Sequence, residues 1–130
     1  MACVLPVLLS IVLGCIEFTR LGMGTQLLAN SAREACRTAA ITGNTLSDVQ
    51  ARVNATLAGS GIQPAGLTAV SSDPGTAGSY IIPANWDSSP GGTPITVVIR
   101  LPYRQFAWFT PIYLSSASAA GNATFSSERP

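Results

Sequence analysis

The chain has 130 residues, room for one small domain plus an appended element. Hydrophobic residues make up 47% and charged residues only 10%, against roughly 25% charged in an ordinary soluble domain. The formal net charge is +1 and every basic residue is arginine, which excludes both a strong nucleic-acid footprint and a polybasic membrane patch.

Residues 1–16 are apolar except for Ser10 and close on Glu17. A spanning helix needs about 20 apolar residues, so this stretch is short when taken alone. A cleaved secretory signal would carry a basic region before the stretch and a small-residue cleavage site after it. Here no basic residue precedes it and Glu17-Phe18-Thr19-Arg20 follows, so the segment is read as retained. From residue 21 to 41 the period is helical. Gln26, Asn30, Arg33 and Arg37 form a polar stripe, and Leu28, Ala32, Ala35 and Ala39 repeat the same steps half a turn away. With no stop signal before Gly43, residues 1–43 are predicted to form one long helix of roughly 60 Å. Pro6 lies in its first turn, where proline costs little. Gly14, Gly22 and Gly24 weaken it locally while letting neighbouring helices approach closely. Cys3, Cys15 and Cys36 would lie about 18 and 32 Å apart in turn along such a helix. That excludes a disulfide or a shared metal site within it, and the thiols read as small apolar packing residues, with a disulfide between copies as the alternative.

Residues 44–130 read as a small α+β head. Thr45-Leu46-Ser47-Asp48 resembles a capping box opening a short helix over 45–58, with Leu46, Val49, Val53 and Leu57 on one face. A Pro/Gly/Ser-rich stretch, 63–94, holds strand candidates near 66–71 and 79–82. The clearest strand is 94–103, where Ile95, Val97, Ile99 and Leu101 alternate with Thr96, Val98 and Arg100. Its partner is placed at 114–127. The predicted architecture is a long helix with a small antiparallel sheet over its C-terminal half. The loop between the two strands is aromatic. It reads either as buried cover over the sheet end or as an exposed partner patch of Arg104, Phe106, Trp108 and Phe109.

Catalysis finds no footing in this sequence. Without histidine or lysine, Ser-His, Cys-His and Ser-Lys nucleophile pairs cannot be built. The six acids are scattered, no CxxC or HExxH spacing exists, and Gly91-Gly92 precedes a strand and not a phosphate-cradling helix. No catalytic residue, cofactor site or metal ligand set is assigned.

The N-terminal third resembles the TadE-like family of tight-adherence (type IVc) pilus proteins. The resemblance rests on Pro6, Gly14, Glu17-Phe18, Arg20 and the run Ala32-Arg33-Glu34-Ala35-Cys36-Arg37-Thr38-Ala39-Ala40. The family pattern has glycine where Thr19 stands, and Gly-Ala where Ala35-Cys36 stands. The resemblance implies a pilin-like fold, a bacterial membrane stage before assembly, and processing by a prepilin peptidase and pilus machinery. In the family that peptidase cuts after a glycine, and a glutamate at the fifth mature position registers the subunit. By alignment that glutamate would fall immediately before Met1.

These readings converge on a structural subunit whose N-terminal helix packs with other copies or other pilin-like subunits, first in the cytoplasmic membrane and then in an extracellular filament. The residues expected to serve helix packing are Pro6, Gly14, Glu17, Arg20, Leu28, Ala32, Arg33, Ala35 and Arg37. Glu17 and Arg20 can pair at one turn's spacing, and Glu34 can serve Arg37. Between copies offset axially by roughly 24 Å, Glu17 of one would meet Arg33 of the next. The alternative is a membrane-tethered extracytoplasmic binding module that does not polymerise, which a concave apolar pocket in the head would favour.

Overall fold

The computed structural model describes residues 3–64, 66–105, 107 and 111–130. Helix α1 spans Val4–Ala40, about 55 Å at 1.5 Å per residue. Pro6 sits in its first turn and does not interrupt it. The hydroxyls of Ser10 and Thr19 donate to the carbonyls of Pro6 and Cys15 at 2.9 and 2.8 Å, so these polar groups are satisfied by the helix itself. The helix stops where Gly43, at φ 90°, turns the chain away. Its last carbonyls are then answered from elsewhere. Asn44 Nδ2 donates to Thr38 O at 2.6 Å, Arg129 Nη2 to Ala39 O at 3.4 Å, and the Glu128 N–H to Ala40 O at 3.2 Å.

Helix α2, Leu46–Leu57, opens on a complete capping box: the Asp48 N–H donates to Thr45 Oγ1, and the Thr45 N–H donates to Asp48 Oδ2 at 2.8 Å. It buries Val49, Val53 and Leu57. Four strands follow, β1 Leu67–Ala69, β2 Gly78–Ile82, β3 Pro94–Pro102 and β4 Ser118–Ser126, in the sheet order β1-β2-β3-β4. The β2–β3 and β3–β4 pairs are antiparallel, while β1 joins β2 in parallel, so the sheet is mixed and not antiparallel throughout. The short β1 explains the difference. A strand of three residues is only about 10 Å long, which loop 70–77 can retrace without a crossover helix.

The core lies between the sheet and the C-terminal part of α1, with α2 beside them. Leu28, Ala32, Ala35, Cys36 and Ala39 of α1 are fully buried with Val49, Val53 and Leu57 of α2 and Ile95, Val97 and Ile99 of β3. The β3–β4 register sets Val97 opposite Ala123, Ile99 opposite Gly121 and Leu101 opposite Ala119. Large side chains on β3 therefore flank small ones on β4, and α1 settles over the small ones. The approach is closest at Gly121, where a Cβ would stand 2.2 Å from the backbone carbon of Leu28. Helix and strand meet there backbone to backbone.

The outer face is tied down by Asp73, in loop 70–77, which forms a two-point ion pair with Arg100 of β3; its Oδ2 accepts from Nη2 at 2.6 Å. Chiefly the Arg100 hydrogen bonds, and then the Gly75 N–H, lower the Asp73 carboxyl to about 2. The folded value lies below the unfolded one, so the pair's contribution is full above about pH 4 and is lost as pH falls through about 2.

Two measurements check this account. Gly121→Ala is expected to destabilise the head by about 3 kcal/mol in denaturant unfolding, the upper end for overpacking. Gly59→Ala, where a Cβ meets nothing within 4 Å, serves as the near-neutral control. Asp73→Asn is expected to flatten the decline of the unfolding midpoint between about pH 4 and pH 2. An unchanged acid limb would mean that the pair contributes nothing.

Candidate functional site

The N-terminal part of α1 is long and apolar enough to cross a membrane, and the chain's own head buries none of that apolar window. Val4, Leu5, Val7, Leu8, Leu9, Ile11, Val12, Leu13 and Ile16 are all exposed. Removing so much apolar surface from water requires lipid or other protein. Pro6 and Gly14 lie in this stretch, Pro6 exposed and Gly14 half-buried.

Glu17 marks where the free part of the helix meets the head. Its carboxylate accepts three successive backbone N–H groups from the loop before β4: Ile112 to Oε1 at 2.8 Å, then Tyr113 and Leu114 to Oε2 at 3.1 and 3.2 Å. The Tyr103 hydroxyl donates to the Glu17 carbonyl at 3.1 Å. One residue thus clamps both ends of the connection between β3 and β4 onto α1. Charge-assisted bonds of this kind are roughly twice as strong as neutral ones, and a loop without regular structure has no other use for these N–H groups. Tyr103 is almost fully buried and lies within the electrostatic reach of both Glu17 and Arg20.

The other residues expected to pack helices divide into two sets. Leu28, Ala32 and Ala35 are wholly buried under the chain's own sheet, so the small-residue stripe has a use within the fold. Arg33 and Arg37 are exposed on the opposite side, and Arg33 Nη1 donates to Asn30 Oδ1 at 3.1 Å. Glu34 pairs with Arg52 of α2 at 2.9 Å, linking the two helices at the surface, and Arg37 acts on the same carboxylate at longer range. For Glu17 and Arg33 of different copies to meet, the arginine would have to share a carboxylate already holding three N–H donors. Arg104 is exposed just after β3; Phe106, Trp108 and Phe109 lie outside the described residues.

A groove of about 840 Å³ follows α1 from Ile11 to Leu27, with Cys15, Arg20 and Met23 on the helix and Ile62, Gln105 and Ala107 on the head. It is mostly apolar and open. Cys3 and Cys15 are exposed, whereas Cys36 is buried with its thiol donating to Ile95 O at 3.1 Å, which withholds it from any bond between copies. Among the described residues, no group of three or more Cys, Asp or Glu is placed to hold a metal ion.

Residues 1–37 match the family of TadE-like proteins. No curated protein and no solved structure matches the chain. The family match covers the exposed apolar stretch, Glu17 and all but the last turn of the buried part of α1.

If the clamp holds the loop, Glu17→Gln should raise amide exchange at residues 112–114 by roughly an order of magnitude. Exchange at β3 should stay as it was. Hydrogen exchange in detergent micelles, read by mass spectrometry, checks this; equal protection in both proteins would remove the clamp from the account.

Proposed function

We propose that this chain, TadE-like over residues 1–37, is a pilin-like structural subunit held in the cytoplasmic membrane by α1 and then drawn through α1 into a tight-adherence pilus. The observation that carries the reading is the division of one unbroken helix. Its C-terminal part is clasped by the head, and its apolar N-terminal part is left without intramolecular cover. In lipid that part is solvated by acyl chains. Moving it into a bundle costs little if neighbouring helices replace that environment, because lipid tails are as apolar as leucine. The exposed groove beside residues 11–27 offers a second helix a place to lie. Partners of this reading are other copies or other pilin-like subunits, with the pilus machinery acting on them.

A membrane-tethered binding module is the second reading, favoured by the same groove of about 840 Å³. The groove borders the uncovered stretch of α1, which a filament would fill and a tethered module would leave in lipid.

Imaging of sheared filaments at side-chain resolution, combined with deletion of this chain in the source cells, separates the two. A filament built on this chain, with the first forty or so residues in its core, makes it the principal subunit. Filaments of another chain that are lost on deletion make it a minor subunit. Filaments that persist unchanged on deletion overturn the assembly reading. Leu9→Arg, which places a charge amid the apolar stretch at a cost of roughly 3 kcal/mol, is expected to prevent membrane retention.

A further inference from the structure

We propose that the head has its own lipid contact, a foot formed by Ile112 and Tyr113 that rests in the headgroup layer of the bilayer beside the point where α1 leaves it. The inference rests on the membrane residence of α1 proposed above and adds a second, separate point of attachment.

The geometry begins at Gly14. A Cβ there would stand 3.8 Å from the Tyr113 ring, so the ring lies against the helix where no side chain interposes. Gly14 is about 4.5 Å nearer the N-terminus than Glu17 along the axis. The loop thus reaches past its own clamp, down toward the exposed apolar stretch. Ile112 and Tyr113 are nevertheless 64% and 56% exposed, and Phe18, one turn after Gly14, is 74% exposed. Leu13 and Ile16, which flank Gly14 on the helix, are exposed as well.

Two features suit this patch to lipid. Tyrosine combines an apolar ring with a polar tip and is enriched where a membrane meets water. A loop that settles against the top of the acyl chains also carries backbone N–H groups that hydrocarbon cannot satisfy. Here Glu17 satisfies three in succession, which lets the loop approach the bilayer with its donors already paired. A second copy is the less fitting occupant. The three side chains of Ile112, Tyr113 and Phe18 offer far less than the roughly 800 Å² per partner of a stable protein interface, whereas a surface already continuous with a membrane anchor needs no such area.

The test uses the full chain carrying 3-fluorotyrosine, in phosphatidylcholine nanodiscs. Tyr80, Tyr103 and Tyr113 give three fluorine resonances, assigned through Tyr80→Phe and Tyr113→Phe. A nitroxide lipid labelled near the top of its acyl chain is compared with a water-soluble gadolinium chelate. The expected result is loss of the Tyr113 signal with the nitroxide lipid, while Tyr80, which lies on β2 and is hydrogen-bonded to Thr76 of the preceding loop, keeps its own. Loss of Tyr113 to gadolinium alone means that the head stands clear of the bilayer, and overturns the foot. Shielding of Tyr113 from both agents means that protein covers it, and overturns the lipid assignment in favour of a second copy. Co-flotation with lipid is scored separately. A chain that does not float overturns the membrane reading of α1 together with the foot, whereas a floating chain with Tyr113 in water overturns the foot alone.

Discussion

The head depends on one steric condition: α1 must be able to lie on β4 with no side chain between their backbones. Gly121 meets that condition, and its neighbours on the same face, Ala119 and Ala123, keep the trough shallow on either side. Once the helix is that close, Leu28, Ala32, Ala35 and Ala39 fill the space that Ile95, Val97, Ile99 and Leu101 leave along β3. A larger residue on either element would lift the helix, and the apolar contacts of the core would be lost together. The small-residue stripe of α1 and the small-residue face of β4 are two halves of the same requirement.

Polar contacts fix the helix within that trough at both ends. At the C-terminal end, Asn44, Glu128 and Arg129 satisfy carbonyls that an ending helix leaves bare, and the Arg129 guanidinium also stacks over Trp86 at 5.3 Å. At the other end, Glu17 draws in the connection between β3 and β4. Between these points α1 is part of the head, and from Leu13 toward the N-terminus it is a bare apolar rod. One stiff element thus serves two environments, and the boundary between them is a single charged residue.

Much of this fold was legible in the sequence because it rests on periodicity. The three-and-four steps of Leu28, Ala32, Ala35 and Ala39 mark a helical face, and the alternation from Ile95 to Leu101 marks a strand with one buried side. The family resemblance was legible in Glu17-Phe18 and the run from Ala32 to Ala40, and the match over residues 1–37 upholds it. Periodicity shows that a face is covered but not by what, so the stripe on α1 could be assigned to another helix when the chain's own sheet covers much of it. The clamp was less visible still. Glu17 stands out at the end of an apolar run, but its partners are backbone N–H groups, which nearly every residue carries. Gly121 left a fainter signal, as the smallest member of a small-residue strand, and only the spatial approach of Leu28 gives it meaning.

The order in which these contacts are synthesised has a consequence of its own. The contacts that secure α1 are remote in sequence: Tyr103 and residues 112–114 lie 86 to 97 positions after Glu17, and Arg129 lies 90 after Ala39. As the chain leaves the ribosome, the apolar rod emerges first and the strand that clasps the helix emerges last. The amphipathic half of α1 and the large side chains of β3 must therefore wait, without the cover of β4, until that strand has been made. Since contacts of such separation also close slowly, a chain held by α1 as proposed would have its anchor in place before its head is finished, and the head would complete its fold while tethered.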